Sequence, residues 1–403
     1  MSDHFDVLVV GAGVTGLTST ALMARAGARV GLVAPLEDST PPSGDIGLRT
    51  LAITPASMRI LAAAGAWKYL DLERVGRFDA MEVWDAGSSG TLAFAPDVLH
   101  EGPMGYIVEY QNLVAALARA LARAPVSRIA HRVQGLDRSI GHALVLDDGE
   151  RLEARLVVAA DGAHSQLRTA AGITWQHRGY AQRALVANVV TAEPHGDVAR
   201  QRFLPSGPLA FLPLAAPCAS SIVWSCNEAL ASSLEEMDDH AFTAALTEAF
   251  EGRLGAVVEV SKRTSYALAR ARAERLVDGP LALVGDAAHL VHPLAGQGLN
   301  LGLLDVAALA ECVGSVSAGR WPHPAALRRY ERWRKSEALA MTLVTDGLER
   351  LFAREERPLR WLRGAGVAVT GRVPGLVPWL CAQAMGDRGD LPRIARAGGD
   401  SAS

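Results

Sequence analysis

The sequence contains 403 residues, of which 49% are hydrophobic and 21% are charged, and its formal net charge at pH 7 is -3. This composition excludes a disordered or collagen-like chain, and the small net charge gives no electrostatic reason to expect nucleic-acid binding. Four cysteines without CxxC spacing favour a reducing cytoplasm, and the length favours roughly two to three domains.

The N-terminal segment predicts a βαβ unit. Asp6–Val10 is a short apolar run typical of a buried parallel strand, Leu17–Ala26 has a helical pattern, and Arg29–Val33 is a second strand-like run. The turn between the first strand and the helix is GAGVTG, whose glycines permit a pyrophosphate to approach the N-terminus of the helix. We therefore expect dinucleotide binding at Gly11, Gly13 and Gly16.

The acidic residue that usually accompanies this turn is missing. In dinucleotide-binding units an acid about 20 residues further on, at the end of the second strand, holds the adenosine ribose. Ala34 stands at that position here, and Glu37 follows only after Pro35. The first turn alone therefore does not distinguish FAD from a nicotinamide cofactor.

From Met81 onward, strand-like segments follow one another without intervening helices, which predicts an antiparallel sheet in a second domain. These segments are Met81–Asp85, Gly90–Phe94, Ala184–Val190, Pro208–Leu214 and Ser220–Ser225. A helical pattern at Asn112–Ala124 and buried strands at Arg155–Ala160 and Leu281–Val284 belong to the first domain, so the second domain interrupts it.

Two further turns follow buried strands, ADGAHS at Ala160–Ser165 and GDAAH at Gly285–His289, the latter continuing into PLAGQGLNLG. Asp286 at the end of a strand can bond a polyol hydroxyl, and the glycines after it open a helix whose positive end faces an anion. A reduced flavin is anionic near its pyrimidine ring, so this arrangement favours a flavin.

After Asp305 the sequence becomes helical, with one apolar helix face running from Met341 to Phe352. Gly364–Gly386 is the nearest approach to a membrane segment, but Pro374 and Pro378 interrupt it. We expect it to pack against the protein, and a position on a membrane surface is the alternative.

Together, GAGVTG, ADGAHS and GDAAH…PLAGQGLNLG resemble the motifs of the para-hydroxybenzoate-hydroxylase-like flavoprotein monooxygenases. Within that group the chain is similar to the ubiquinone-biosynthesis ring hydroxylases in RTLAI at Arg49–Ile53, in MEVWD, in IVE at Ile107–Glu109 and in RRYERWRK. The resemblance covers nearly the whole chain.

The resemblance implies an α/β fold in which a Rossmann-like FAD-binding domain is interrupted by an antiparallel-sheet substrate domain and followed by a C-terminal helical region. The expected boundaries are 1–75, 100–175 and 275–320 for the FAD-binding domain, 76–99 and 176–274 for the substrate domain, and 321–396 for the helical region.

Cofactor contacts are also implied by the resemblance. The pyrophosphate would lie on Gly11, Gly13 and Gly16, with Arg49 near it and near the nicotinamide donor. Tyr110 occupies a position where the family often has a polar FAD contact, and Gln111 is expected to replace it. Asp161 and Gly162 would touch flavin and nicotinamide, Asp286 would bond the ribitol, and the flavin edge would rest on Gly296, Gly298 and Asn300.

The substrate ring would face the flavin near Pro293. His289 and His292 are the nearest ionisable candidates for a catalytic role, with a packing or hydrogen-bonding histidine as the alternative. Phe211 and Trp224, on the strands LAFLPL and SIVWS, are candidates for an apolar substrate floor, with a core position as the alternative. We expect no metal, because the histidines lack ligand spacing.

In the implied reaction, NAD(P)H reduces FAD, molecular oxygen adds at the flavin C4a carbon, and the resulting hydroperoxide hydroxylates a polyprenylated phenol. The expected location is the cytoplasm, with a quinone-biosynthesis protein complex and contact with the inner face of the membrane left open.

The sequence is also consistent with two other functions. One is a different flavoenzyme on the same scaffold, such as a hydroxylase of a small soluble aromatic, a halogenase or a prenyl-chain reductase. The halogenase is disfavoured because the sequence has no WxWxIP-like segment. The other is a non-catalytic flavoprotein subunit of a lipid-biosynthetic complex, which the intact glycine and aspartate motifs disfavour.

Overall fold

A computed structural model of the chain describes residues 4–35, 39–86, 91–94, 102–138, 142–291, 297–314, 321–337 and 389–397. Its strands are β1 (Phe5–Val10), β2 (Val30–Val33), β3 (Thr50–Ile53), β4 (Gly76–Phe78), β5 (Ala80–Asp85), β6 (Thr91–Phe94), β7 (Gly105–Glu109), β8 (Val126–Ile129), β9 (Val133–Asp137), β10 (Ala143–Leu146), β11 (Arg151–Leu152), β12 (Ala154–Ala159), β13 (Trp175–Thr191), β14 (Val198–Leu204), β15 (Gly207–Pro213), β16 (Ala219–Asn227), β17 (Val257–Val260), β18 (Thr264–Ala273), β19 (Val277–Asp278), β20 (Leu281–Leu283) and β21 (His289–Leu290). Its helices are α1 (Val14–Arg25), α2 (Pro55–Ala63), α3 (Tyr110–Leu121), α4 (Gln166–Ala170), α5 (Glu228–Glu236), α6 (Asp239–Ala249) and α7 (Gln297–Val313), and residues 324–337 are also helical.

A six-stranded sheet in the order β19-β20-β12-β1-β2-β8 forms the first domain. β1 lies at its centre and pairs in parallel with β12 and β2, and β12 pairs in parallel with β20. Val7, Leu8 and Val9 are fully excluded from solvent, which explains why this strand is apolar throughout rather than alternating. Helix α1 connects β1 to β2 and packs against α3 and α7. The Rossmann-like arrangement predicted from the sequence is confirmed.

A nine-stranded sheet forms the second domain, with the path β21-β18-β13-β16-β15-β14-β5-β6 and β17 paired to β13. Its described pairs are antiparallel except for β14 with β5, which run parallel. The long strand β13 forms the axis of this sheet, because it pairs with β16 on one side and with β17 and β18 on the other. The antiparallel-sheet domain expected from the sequence is present.

Side chains alternate between the two faces of this sheet, because successive residues of a strand point in opposite directions. On one face, helices α5 and α6 cover an apolar core that includes Trp84, Leu185, Phe211, Ile222 and Trp224. The residues between them in sequence point to the other face, which looks toward the six-stranded sheet. The functional site is formed on that second face.

Several elements were not expected from the sequence. They are the small sheets β3-β7-β4 and β11-β10-β9, the helices α5 and α6, and the N-terminal half of β13. Among the described helices, none is long and apolar enough to cross a bilayer. The expected apolar helix face from Met341 to Phe352 and the segment Gly364–Gly386 lie outside the described residues, and the domain boundaries stay predictions.

Candidate active site

A cavity of about 800 Å³ lies between the six-stranded sheet and the second face of the nine-stranded sheet. The carboxyl ends of β1, β12 and β20 open into it, which is the usual place for a ligand in a doubly wound sheet. Its size is in the range of small-molecule and cofactor sites, roughly 300 to 1,000 Å³. We refer to it below as the cofactor cavity.

The glycine turn after β1 lines the cofactor cavity through Gly11 and Gly13. Gly11 has a φ of +108°, and a Cβ there would lie 2.3 Å from the carbonyl oxygen of Ala160, so only glycine fits. Gly13 caps α1 without a side-chain hydrogen bond, and the first turn of α1 carries no acid. The free N–H groups and positive end of α1 therefore suit an anionic group such as a pyrophosphate.

Gly16 does not line the cofactor cavity, contrary to the expectation that it faces the pyrophosphate. It is buried, and a Cβ on it would lie 1.9 Å from the carbonyl oxygen of Gly11. Its role in this geometry is to let the first turn of α1 approach the end of β1. The glycine spacing in the sequence cannot separate this packing role from direct ligand contact.

Two aspartates in turns after parallel strands, Asp161 and Asp286, line the cofactor cavity. Asp161 accepts a hydrogen bond from the Leu167 N–H through Oδ2 at 3.2 Å, whereas its Oδ1 is buried without a partner among the described residues. Burial raises the pKa of both carboxyls, and for Asp286 the nearby His289 and Arg49 oppose that shift. Because both carboxyls border the cofactor cavity, their oxygen atoms can accept hydrogen bonds from ligand hydroxyl or N–H groups there.

Arg49 and Tyr110 form a stacked pair on the wall of the cavity. The guanidinium carbon lies 3.6 Å from the ring centroid, and the Tyr110 N–H donates to the Arg49 carbonyl at 2.9 Å. The Tyr110 hydroxyl lies 3.5 Å from the place a Cβ would occupy on Gly13, which brings it to the glycine turn. Glu109 fixes the loop before Arg49, because its carboxylate accepts from the Gly47 N–H at 2.6 Å.

Gln111 was expected to take the cofactor contact of its neighbour, and among the described residues its side chain lies away from the cofactor cavity. Its side chain donates to the Thr40 carbonyl at 3.2 Å, and it does not border the cavity. Residues 110 and 111 are successive residues of a helix, so they point about 100° apart and only one of them can face the glycine turn. Tyr110 is the one that does.

A buried network centred on Asp305 of α7 lies behind the turn that carries Asp286. Asp305 accepts hydrogen bonds from the Gly285 N–H at 3.0 Å, from His289 Nε2 at 2.6 Å and from Arg334 Nε at 2.8 Å. Burial alone raises the pKa of the Asp305 carboxyl, but the combined attraction and hydrogen bonding of His289 and Arg334 lower it overall. The network fixes the geometry of the Asp286 turn.

The catalytic assignment of His289 is corrected by this network. The imidazole is buried, is bonded to Asp305 and does not border the cofactor cavity. The amide oxygen of Asn300 accepts from the Thr54 N–H at 3.1 Å and its amide nitrogen donates to the Ala52 carbonyl at 2.8 Å, so it joins α7 to β3. Asn300 does not border the cofactor cavity but lines a small neighbouring cavity, so its cofactor contact stays a prediction.

Of the other cofactor and substrate contacts expected in this region, two border the cavity and the rest lie outside the described residues. Gly162, with a φ of +81°, and Gly298 line the cavity where the sequence places them. Pro293 and Gly296, like His292, lie outside the described residues, so their assignments stay predictions.

The substrate assignment of Phe211 and Trp224 is wrong on this geometry. Both side chains are buried on the face of the nine-stranded sheet that α5 and α6 cover, and Phe211 stacks on Phe250 with the ring centroids 3.8 Å apart. The residues that face the cavity alternate with Phe211 and Trp224 along their strands, so the two aromatic side chains point away from it. The side chains that line the cavity from this sheet belong to Gln201, Pro208, Ala210, Leu212, Val223, Ser225 and Tyr266.

The far end of the cavity lies at the carboxyl ends of β2 and β8. Ala34 borders it, so no carboxylate stands at the usual ribose position, and His131 borders it as well. The His131 ring is hydrogen-bonded to Asp147 at 2.8 Å, which raises the pKa of the imidazole. Sequence reasoning missed His131, because no motif marks it.

These residues fit FAD as the cofactor. The uncapped N-terminus of α1 suits the pyrophosphate, the buried Oδ1 of Asp161 has no donor among the described residues, and the carboxyl of Asp286 faces the same space. An elongated cavity that joins a dinucleotide turn to an apolar sheet face can hold adenosine at one end and a flavin ring at the other.

Comparisons with known proteins agree with this chemistry. A family model described as an FAD binding domain matches residues 4–345. Ubiquinone hydroxylase UbiL of Rhodospirillum rubrum is 38% identical over 386 residues, which cover 94% of this chain and 89% of that protein. The 3-demethoxyubiquinol 3-hydroxylase of Escherichia coli is 34% identical over 385 residues, covering 91% of this chain and 95% of that protein.

Among solved structures, p-nitrophenol 4-monooxygenase PnpA from Pseudomonas putida DLL-E4 superposes with a TM-score of 0.73 over 96% of this chain and 99% of that one. Its sequence identity of 20% makes this a likeness of fold. The family match spans the three motifs, and the two relatives extend over most of the chain. The chain therefore belongs to the FAD binding domain family, as an FAD-dependent aromatic monooxygenase of the group that contains the ubiquinone hydroxylases.

Proposed function

We propose that this protein hydroxylates the aromatic ring of a polyprenylated phenol in ubiquinone biosynthesis, with FAD as cofactor, NAD(P)H as electron donor and molecular oxygen as co-substrate. The observation that carries the proposal is a single cavity with two chemically different ends. Dinucleotide turns form one end, and the apolar residues Ala210, Leu212 and Val223 form part of the other. The names of the relatives support the choice of a quinone precursor as substrate.

Bound FAD would supply the redox chemistry, by taking electrons from NAD(P)H and delivering one oxygen atom to the ring. The chain's own contribution is binding, orientation and exclusion of water. We assign the pyrophosphate to Gly11, Gly13 and the N-terminus of α1, with Arg49 and Tyr110 beside it. We assign the ribityl chain to Asp286, whose carboxylate would accept hydrogen bonds from its hydroxyls.

A small second cavity continues the substrate end. It is lined by Phe78, Met81, Ala199 and other residues between β3 and the nine-stranded sheet, and it shares Ala210 and Leu212 with the cofactor cavity. Its volume is about 40 Å³ and polar residues such as Arg200 and Asn300 share its walls, so in this structure it has room for the first carbon atoms of a prenyl chain only. Burying each methylene there contributes about 0.8 kcal/mol. A small soluble phenol would gain nothing from this burial.

The test is direct oxygenation by purified holoenzyme. A short-chain prenylphenol is supplied with NADPH or NADH under isotopically labelled oxygen gas, and the product is analysed by mass spectrometry. We expect one labelled oxygen atom in the ring, and the Asp286→Ala variant serves as the cofactor-deficient control. Turnover of an unprenylated phenol with no turnover of the prenylphenol would contradict the substrate class, and NAD(P)H that stays unoxidised would contradict the activity.

We also propose contact with a membrane surface and with other quinone-biosynthesis proteins. The physical reason is that a polyprenyl tail partitions into the bilayer, so the substrate must be taken from there. Flotation of the full chain with phosphatidylglycerol vesicles measures the first contact. Equal recovery of the full chain and a chain truncated after residue 337 would contradict a role for the C-terminal region in it.

A further inference from the structure

The cavity face of the nine-stranded sheet presents two large polar side chains that border the cofactor cavity, Gln201 and Tyr266. Ala184 on β13 is directly opposite Tyr266 on β18 and also directly opposite Ser225 on β16. Side chains of directly opposed residues lie on the same face of a sheet, so these three share a face. Tyr266 and Ser225 both border the cofactor cavity, which identifies that face as the substrate side.

Two other polar residues of this face, Asn188 and Ser221, make hydrogen bonds within the protein. Asn188 donates to the Ile46 carbonyl at 2.7 Å, and Ser221 is hydrogen-bonded to Thr50 at 2.8 Å. These contacts join the sheet to the loop and strand that surround Arg49. They hold the two domains together at the cavity.

Tyr266 has no such engagement. Its hydroxyl makes no hydrogen bond to any residue that the structure describes, and the residue is 47% exposed, although Leu268 two residues later on the same face is buried. Because the exposed part of Tyr266 borders the cofactor cavity, its hydroxyl is available to a ligand bound there. Burial raises the pKa of the Tyr266 phenol, with Arg49 opposing, so the hydroxyl stays protonated near neutral pH and can donate.

We infer that Tyr266 binds the substrate directly, donating a hydrogen bond from its hydroxyl to an oxygen substituent of the aromatic ring. The ring then lies against Val223 and Ala210, whose side chains border the same cavity. Anchoring one substituent at a fixed point of the sheet limits which ring carbon can face the flavin. Tyr266 is therefore a specificity-determining residue for the reaction, and the inference rests on the proposed function.

The test compares two ligands in the Tyr266→Phe holoenzyme. The probes are a short-chain prenylphenol and its methyl ether, and binding of each is measured by the perturbation of the bound flavin's absorbance. A phenol oxygen can both accept and donate a hydrogen bond, and its ionised form is a stronger acceptor. The ether oxygen is a weaker acceptor, and its methyl group makes it bulkier. We expect wild-type enzyme to prefer the phenol by about tenfold, and Tyr266→Phe to lose most of that preference with FAD occupancy unchanged.

Tyr106→Phe is the matched control. Tyr106 is a partly buried tyrosine of β7 that packs edge-on against Trp67 and does not border the cofactor cavity, so its variant should keep the wild-type preference. The product's hydroxylation position is determined by mass spectrometry and NMR in parallel, and we expect a mixture of ring positions from Tyr266→Phe alone.

The outcomes separate the two proposals. A Tyr266→Phe enzyme that forms product, keeps the phenol preference and hydroxylates a single position would overturn the assignment of Tyr266 and leave the proposed function standing. A wild-type enzyme that forms no product from the prenylphenol would overturn the proposed function and the assignment with it.

Discussion

The carboxylate of Asp305 and the guanidinium of Arg334 are 2.8 Å apart, and both side chains are excluded from solvent. Asp305 belongs to α7 and also accepts from the backbone of Gly285, whereas Arg334 belongs to the helical residues 324–337. The pair therefore ties the turn that carries Asp286 to the C-terminal part of the chain. Tyr330 adds a second connection, donating to the Leu283 carbonyl at 2.6 Å.

Asp305→Ala is expected to lower the free energy of unfolding by about 3 to 5 kcal/mol, because it leaves the Arg334 charge buried without its partner. Denaturant unfolding of the holoenzyme measures the change. Lys335→Ala is the matched control, since its ion pair with Glu331 is partly exposed and such pairs contribute only about 0.3 to 0.5 kcal/mol. Similar losses in the two variants would contradict the role given to the buried network.

The same network predicts a pH dependence. The folded-state pKa of Asp305 lies below its ordinary value, so its contribution to stability is fully present above roughly pH 4 and is lost as the pH falls through the folded-state pKa. Asp305→Asn removes this titration. Below pH 4 the stability of wild-type protein should therefore fall more steeply than that of the variant, as measured by thermal unfolding across a pH series, and parallel curves would count against the lowered pKa.

Gly16→Ala is expected to abolish FAD binding by displacing α1. The added Cβ would lie 1.9 Å from the Gly11 carbonyl oxygen, a backbone atom that cannot move without distorting the glycine turn. Flavin absorbance after gel filtration measures retention of the cofactor. Gly135→Ala is the control, because nothing lies within 4 Å of a Cβ at that position, and it should keep its flavin.

Asp286→Ala is expected to weaken FAD binding by about 10- to 100-fold, the range for losing hydrogen bonds to a charged group. Fluorescence titration of apoprotein with FAD measures the affinity, and Glu153→Gln on the exposed surface is the control. Because burial raises the pKa of Asp286, the carboxylate that accepts ligand hydrogen bonds is lost as the pH falls through that raised value. Wild-type affinity should then weaken in mild acid, whereas Asp286→Asn should show no such loss.

The sequence predicted the parts of the fold whose patterns are local. The run Asp6–Val10, the glycine turn and α1 follow one another along the chain, and their geometry needs no information from elsewhere. The two aspartate turns were predicted for the same reason. Because all three lie at the carboxyl ends of parallel strands, the sheet brings them to one cavity.

What the sequence did not reveal depends on contacts between distant segments. Successive side chains along β15 and β16 point to opposite faces of the sheet. Because both faces are covered by other parts of the protein, the alternation cannot show which face looks toward the flavin. His289 is placed by a motif next to Asp286, yet its partner Asp305 comes from the following helix. The helices α5 and α6 decide that Phe211 is core, and they were not predicted as helices.

Phe211→Ala is therefore expected to act on stability and not on substrate binding. Removing a buried aromatic ring costs about 3 to 5 kcal/mol of unfolding free energy, because the stacking on Phe250 is lost and a cavity remains. Its neighbour Leu212 points to the opposite face and borders the cofactor cavity, so Leu212→Ala should weaken binding of the prenylphenol with a smaller loss of stability. Unfolding curves and flavin-absorbance titrations of the two holoenzymes give both quantities. If Phe211→Ala weakened the binding of the prenylphenol more than Leu212→Ala did, the sheet would present its other face to the substrate, and the positions given to Tyr266 and Ser225 would be wrong as well.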